Sequence, residues 1–257
     1  MKLDYNELLE MVSEMGFRLM FSGAEIYRVE ESISRLLQAY GAERGEVFAI
    51  PNCIIVSLTS PMGEPMTQIR RMPNHGTDIY LLERYNDLCR RLCRETPPFE
   101  VALDSMREIE RTHKVYSLPT KLAAHFLGCG MFSLFYGGSV WDGLCGGLCG
   151  MVICLCLALT SKLGANLFFK TIAGAAASAF VALALTAVGV GQNSDSIIIG
   201  ALMALVPGIA FTNAMRDIMA GDMVAGISKA AEALLIGAAI ALGTALALGL
   251  IRPLMGG

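Results

Sequence analysis

The chain is 257 residues long, 54% hydrophobic and 17% charged, with a formal net charge of −3 at pH 7. So small a charge leaves no electrostatic footprint for nucleic acid, and so apolar a composition exceeds that of an ordinary soluble domain. The charges are also unevenly placed: residues 1–116 hold 14 Lys+Arg and 18 Asp+Glu, whereas residues 117–257 hold 6 and 5, which predicts a polar α+β domain over 1–116 and an all-α membrane domain over 117–257.

Asp4 followed by Glu7 reads as a helix start with reciprocal capping. Leu8, Leu9, Met11, Val12, Met15 and Leu19 then recur at three and four and give that helix an apolar face. Ser22-Gly23-Ala24-Glu25 reads as a second capping box. It opens a helix with Ile26, Val29, Ile33, Leu36, Leu37 and Tyr40 inward and Gly41 as its C-terminal cap. The opposite face, with Arg28, Glu30, Glu31 and Arg35, has the pattern of a solvated surface. β-branched residues then dominate 47–50 and 53–59, Ser60-Pro61-Met62-Gly63 signals a turn, and 66–72 reads as the returning strand. Thr77 is placed to cap a third helix carrying Ile79, Leu81, Leu82, Tyr85, Leu88 and Leu92. Thr96-Pro97-Pro98 opens a fourth, running towards Tyr116 with Val101, Met106 and Ile109 apolar. The expected cytoplasmic domain is therefore two helices, a small antiparallel sheet and two helices.

Cys89 and Cys93 share a helix face at i, i+4, and Cys145, Cys149, Cys154 and Cys156 lie in apolar sequence. No CxxC pair occurs and no histidine stands near at zinc spacing, so the cysteines read as small apolar packers and neither metal nor other cofactor is expected.

Leu118-Pro119 marks the membrane entry. Five runs free of Asp, Glu, Lys and Arg follow at 122–141, 143–161, 171–194, 196–215 and 233–251. Each is about long enough for a helix to cross ~30 Å of hydrocarbon, so five transmembrane helices are expected, at about 119–141, 143–161, 168–192, 196–215 and 230–251. Arg107, Arg111, Lys114 and Lys121 precede the first, Lys162 and Lys170 lie in the second connection, and Arg216 and Lys229 in the fourth; the other connections have no basic residue. This bias predicts a cytoplasmic N-terminus and an outside C-terminus, with Arg252 opposing the latter. Residues 1–7 contain no apolar signal-peptide core. Gly143-x-x-x-Gly147 and Gly146-x-x-x-Gly150 suit close helix approach and imply helix neighbours, some of them from another chain.

The stretch at 205–222, L-V-P-G-I-A-F-T-N-A-M-R-D-I-M-A-G-D, combines a break with charge. Pro207 removes a backbone donor and Gly208 loosens the chain beside it. Asn213, Arg216 and Asp217 follow within three turns. Unwound backbone at membrane depth is tolerated where it packs in protein or lines a cavity, so Pro207, Gly208, Asn213, Arg216 and Asp217 are the candidate substrate-binding residues. His125, one turn into the first span, is a candidate for proton coupling, as are Asp217 and Asp222. Lys170 and Asp195, at span ends, read as interfacial anchors. No H-E-x-x-H, G-x-S-x-G or Walker loop is present, which excludes those enzyme classes and ATP hydrolysis by this chain as a power source.

Ser22-Gly23-Ala24-Glu25-Ile26-Tyr27-Arg28-Val29-Glu30-Glu31, Ile69-Arg70-Arg71, Val206-Pro207-Gly208, Asn213-Ala214-Met215-Arg216-Asp217 and Gly221-Asp222 together resemble the threonine/serine exporter (ThrE) family, most closely its short YjjP-type members. The resemblance covers nearly the whole chain. It implies an inner-membrane exporter of threonine/serine or of dicarboxylates such as succinate, with a cytoplasmic N-domain. It also implies a second short multi-span membrane subunit, because long members look like two fused halves and this chain matches the first. The resemblance assigns no substrate contacts; from their chemistry, Arg216 would pair with a substrate carboxylate, Asn213 and the backbone at Pro207-Gly208 would orient it, and Asp217 would hold Arg216 or exchange a proton. The alternatives are a homo-oligomer, and, from other classes, a membrane-tethered enzyme or a ligand sensor with the N-domain as the active part.

Overall fold

The structure, a computed structural model, describes residues 4–42, 44–60, 63–72 and 76–251. Pro61 and Met62 of the predicted turn, and Arg252, lie outside them. Two compact units form: Met1–Lys114 with Ala210–Ala230, and Val115–Ile209 with Ala231–Gly257.

The first unit begins with α1 (Tyr5–Phe21) and α2 (Ile26–Ala39). Asp4 caps α1, its carboxylate accepting from Asn6 N and Glu7 N. Gly41 closes α2 at a φ of +84°, with its N–H and that of Ala42 donating to Gln38 O and Leu37 O, so the terminal carbonyls are satisfied without a Cβ penalty. The strands β1 (Gly45–Ile50), β2 (Cys53–Thr59) and β3 (Pro65–Arg71) make a three-stranded antiparallel sheet in that order. Strand periodicity sends Ile54, Val56 and Leu58 to one face, where they meet Leu8, Met11, Met15 and Leu19 of α1 and Val29 and Ile33 of α2 in a single core. Two further helices, α3 (Ile79–Glu95) and α4 (Phe99–Thr112), complete the polar part, with Tyr85, Leu88, Leu92 and Met106 buried.

Three local expectations fail. Ile79 and Val101, assigned to apolar faces, are exposed. Asp78 rather than Thr77 caps α3, because its carboxylate reaches Leu81 N at 3.0 Å. Ser22 does not open α2: it closes α1, its hydroxyl donating to Arg18 O, and α2 starts at Glu25 with no cap from its own side chain.

The second unit holds α5 (Leu118–Phe135), α6 (Val140–Lys162), α7 (Leu167–Ala187), α8 (Ser194–Leu202) and most of α10 (Met223–Ile251). Both GxxxG pairs of α6 face α5. A Cβ on Gly147 would stand 2.8 Å from Phe126 O, and one on Gly150 2.7 Å from His125 O, so the small residues are taken up within this chain. Cys145, Cys149 and Ile153 of α6 join Ala179, Ala182 and Leu183 of α7 and Ile197 and Ala201 of α8 in the core of the unit. Asp142 is 1% exposed. It completes a capping box with Ser139 and also accepts from Gln192 N at 2.6 Å and Asn193 N at 3.0 Å, so its charge is spread over backbone donors.

Five spans are not observed. Among the described residues three helices are long and apolar enough to cross a membrane: Val140–Lys162, Leu167–Ala187 and Met223–Leu250. α5 has 18 residues and includes Lys121 and His125, and it is not one of the three. The predicted span at 196–215 divides into α8, of 9 residues, and α9 (Gly208–Ala220), of 13. At 1.5 Å per residue these reach roughly 14 and 20 Å, short of the ~30 Å core. The division has a local cause: Ala204 N and Leu205 N bond three residues back, a tightening that precedes Val206-Pro207.

Candidate functional site

The charged residues of the 205–222 stretch fold into the first unit. Asn213, Arg216 and Asp217 lie at i, i+3 and i+4 on α9 and therefore on one face, and that face meets the loop between α1 and α2. Asn213 Nδ2 donates to Gly23 O at 3.3 Å, Arg216 Nη1 donates to Glu25 Oε1 at 2.8 Å, and Asp217 Oδ1 accepts from Ile26 N at 3.0 Å. Lys229, on the first turns of α10, donates to Asp217 Oδ2 at 2.8 Å and lies 3.5 Å from Ala24 O.

The local sequence dictates this arrangement. Gly23 has a φ of +94°, and a Cβ there would come 2.7 Å from Gly76 O; only glycine fits, and the turn it makes aims its carbonyl at Asn213. α2 starts without a side-chain cap, so the first-turn N–H of Ile26 is unsatisfied locally. Asp217 supplies the missing acceptor from 191 residues away, at a helix N-terminus where negative charge is favoured. Gly221, at a φ of +104°, turns the chain from α9 into α10. Gly226 lets the two helices close up, since a Cβ there would lie 2.8 Å from Ala214 O.

Asp217 is fully buried and Lys229 nearly so. Glu25 is buried as well, while the Arg216 side chain is 53% exposed. Burial alone would raise the Glu25 carboxyl, but its own backbone N–H, the Arg216 hydrogen bond and the charge of Arg28 outweigh burial and hold it below the usual glutamate value. Two neighbouring carboxyls go the other way. Asp222 is raised by burial and by the negative charge of Asp217, against Lys229. Glu30 is raised by burial and by Asp222 and Asp217, against the Ala49 N–H that bonds it. The cluster thus contains one carboxyl held below its usual value and two raised above theirs.

The remaining candidates sit elsewhere. Pro207 and Gly208 form the break between α8 and α9, in the second unit. His125 is also in the second unit, on α5, where its Nδ1–H donates to Lys121 O at 2.8 Å and its ring borders a cavity of about 260 Å³ with Cys129, Phe132 and Met203. Arg70 is tied to Glu14 of α1, a bond between sheet and helix. Glu25, read from sequence as part of a capping box and a family motif, and Lys229, read as a basic connection residue, were not among the candidate site residues. The signal that could have found them is charge balance: a cation and an anion in an otherwise uncharged stretch need partners, and the N-terminal domain has the acid to spare.

The model of the family described as "Putative threonine/serine exporter" matches residues 10–251. A "Probable threonine/serine exporter" from Mycobacterium tuberculosis (strain ATCC 25618 / H37Rv) is 26% identical over 250 residues, which is 96% of this chain and 46% of that protein; the chain thus spans about half the length of this curated relative. No solved structure matches the chain. With the family match running from α1 to the last described residue of α10, the chain belongs to the threonine/serine exporter family of membrane transporters.

Proposed function

We propose that this chain is a secondary exporter subunit for small carboxylate metabolites, threonine and serine or dicarboxylates such as succinate. In this reading it acts in a bacterial-type inner membrane, with its N-terminal domain cytoplasmic and its C-terminus outside, beside a second short membrane subunit of the same family. The observation that carries the reading is the family match over nearly the whole chain, joined to a half-exposed guanidinium already paired with a carboxylate. The matched relative is about twice as long, and the second-subunit reading rests on the resemblance to long members that look like two fused halves.

Glu25 holds Arg216 as a substrate carboxylate would. An incoming carboxylate competes for the same planar fork, to which arginine is suited. Asn213, at i−3 from Arg216, is within the same contact. Asp217 is committed twice, to Ile26 N and to Lys229, so it fixes the position of Arg216's helix. Proton exchange falls to Asp222, whose carboxyl is raised, with His125 a separate candidate.

Efflux of preloaded serine, threonine and succinate from cells lacking their own exporters tests the reading. Export is expected when this chain and its partner subunit are expressed together and not from this chain alone. Full export by the single chain purified into liposomes would remove the split arrangement. No efflux of any of the three by the pair would remove the exporter reading for these substrates.

A further inference from the structure

On the far side of Glu25 from Arg216 stands Arg28, whose Nε is 3.6 Å from Glu25 Oε2. Arg28 belongs to a second feature of the same unit, a cleft of about 600 Å³ between α2 and α3, within the size range of small-molecule sites. Four guanidiniums line it: Arg28 and Arg35, at i and i+7 on α2, and Arg90 and Arg94, at i and i+4 on α3. The one carboxylate in the lining is Glu31, already held by Arg35 at 2.6 Å. Between the arginines lie neutral groups, including Cys89 and Cys93. Burial pushes the Cys89 thiol up to about 12 and raises Cys93 as well, so neither contributes a thiolate to offset the arginines.

Arg35 is held close by Glu31, whereas the other three arginines have long carboxylate contacts or none. Arg28 and Arg90 reach Glu25 and Asp87 at 3.6 and 3.7 Å, Arg28 Nε also donates to the Tyr27 hydroxyl at 3.1 Å, and Arg94 has no ion-pair partner among the described residues. An exposed pair such as Arg90–Asp87 is worth little and is screened by salt. An anion that engages several of these forks at once gains charge-assisted, bidentate bonds that a lone carboxylate cannot match. Two facing pairs of arginines, with Glu31 the one carboxylate in the lining, fit a compact polyanion with tetrahedral oxygens.

We propose that the α2–α3 cleft is a binding site for a soluble phosphate-bearing metabolite carrying two or more negative charges. The site is separate from the Arg216 contact but shares Glu25 with it through Arg28.

The test is calorimetric titration of the full chain in phosphatidylcholine nanodiscs with inorganic pyrophosphate at low salt. Saturable binding is expected, weakened about tenfold or more in the double variant Arg90→Ala/Arg94→Ala. Arg94→Glu, at an exposed position where folding is not at stake, should weaken it in the same direction. Glu25→Gln should do the opposite: it removes the carboxylate on which Arg28 leans, and pyrophosphate should bind up to about fivefold more tightly. Binding that does not saturate, or the same Kd in wild type, the double variant and Arg94→Glu, overturns the proposal. So does a wild-type chain that responds to phosphatidylglycerol in the nanodisc but not to pyrophosphate, since the cleft would then serve lipid and not a soluble ligand.

Discussion

Asp217 on α9 caps the first turn of α2 by accepting the Ile26 N–H at 3.0 Å, joining residues 191 positions apart. The unit that carries the polar domain is therefore discontinuous in sequence. A fragment ending at residue 116 lacks α9, the acceptor for Ile26 N and the partners of Glu25. In the full chain the Ile26 amide should be protected from hydrogen exchange, and in that fragment or in Asp217→Ala it should exchange about tenfold faster or more, as expected from losing a cap worth ~1–2 kcal/mol. Equal protection in all three would show that Asp217 is not the cap.

Asp217 and Lys229 form a buried pair. Removing one partner leaves the other charge unpaired, at a cost of roughly 3–5 kcal/mol. Asp217→Ala and Lys229→Ala should each lower the melting temperature of the solubilised full chain. The double variant Asp217→Asn/Lys229→Met should lose less than the sum of its two singles. Strict additivity in thermal melts would mean that the pair does not interact.

The carboxyls around this pair give stability a pH dependence whose sign differs between residues. Glu25 is depressed, so its contribution is present above the unfolded value of 4.5 and lost as pH falls through the folded value. Glu25→Gln should therefore destabilise at pH 7, with the difference shrinking below pH ~4.5. Asp222 is raised, so its favourable contribution is present below the unfolded value of 3.8 and lost as pH rises through the folded value. Asp222→Asn, which mimics the protonated acid, should stabilise at pH 7 and become neutral near pH 3.8. Melting curves of the two variants between pH 3.5 and 7.5 check both signs.

How far the sequence carried depends on whether a feature was local. The helix faces of α1 and α2, the three strands and the cap at Asp4 are set by near neighbours, and periodicity found them. Ser22-Gly23-Ala24-Glu25 has the letters of a capping box, but Ser22 is spent on closing α1, so the acceptor for α2 comes from 191 residues away. Local pattern cannot register that distance. The five-span count failed for a related reason. An uncharged run at 196–215 gives length but not continuity, and Pro207-Gly208, already visible as a break, divides it into two helices each too short to cross. Asn213, Arg216 and Asp217 were legible as a group. Their partners Glu25, Gly23 and Lys229 were not, since pairing is decided by the fold.

Glycine contacts in the membrane helices separate packing from propensity. A Cβ at Gly147 meets Phe126 O at 2.8 Å, whereas one at Gly237 on α10 meets nothing within 4 Å. Gly147→Ala should destabilise the chain because α5 must move away. Gly237→Ala should be neutral or stabilising by up to ~1 kcal/mol from helix propensity. Detergent-resistance or steric-trap unfolding of the two variants distinguishes them.

Substrate recognition by Arg216 is the centre of the account, and carboxylate efflux by the reconstituted pair of subunits, normalised to inserted protein, tests it most directly. Because the side chain is half-exposed, a loss of about tenfold in apparent affinity, ~1.4 kcal/mol, is the scale expected for Arg216→Ala. Arg216→Lys should recover only part of it. Glu25→Gln, which removes the internal competitor, should raise apparent affinity, and this opposite sign marks competition for the guanidinium. Normal efflux per molecule by Arg216→Ala, with unchanged affinity for serine, threonine and succinate, would contradict it.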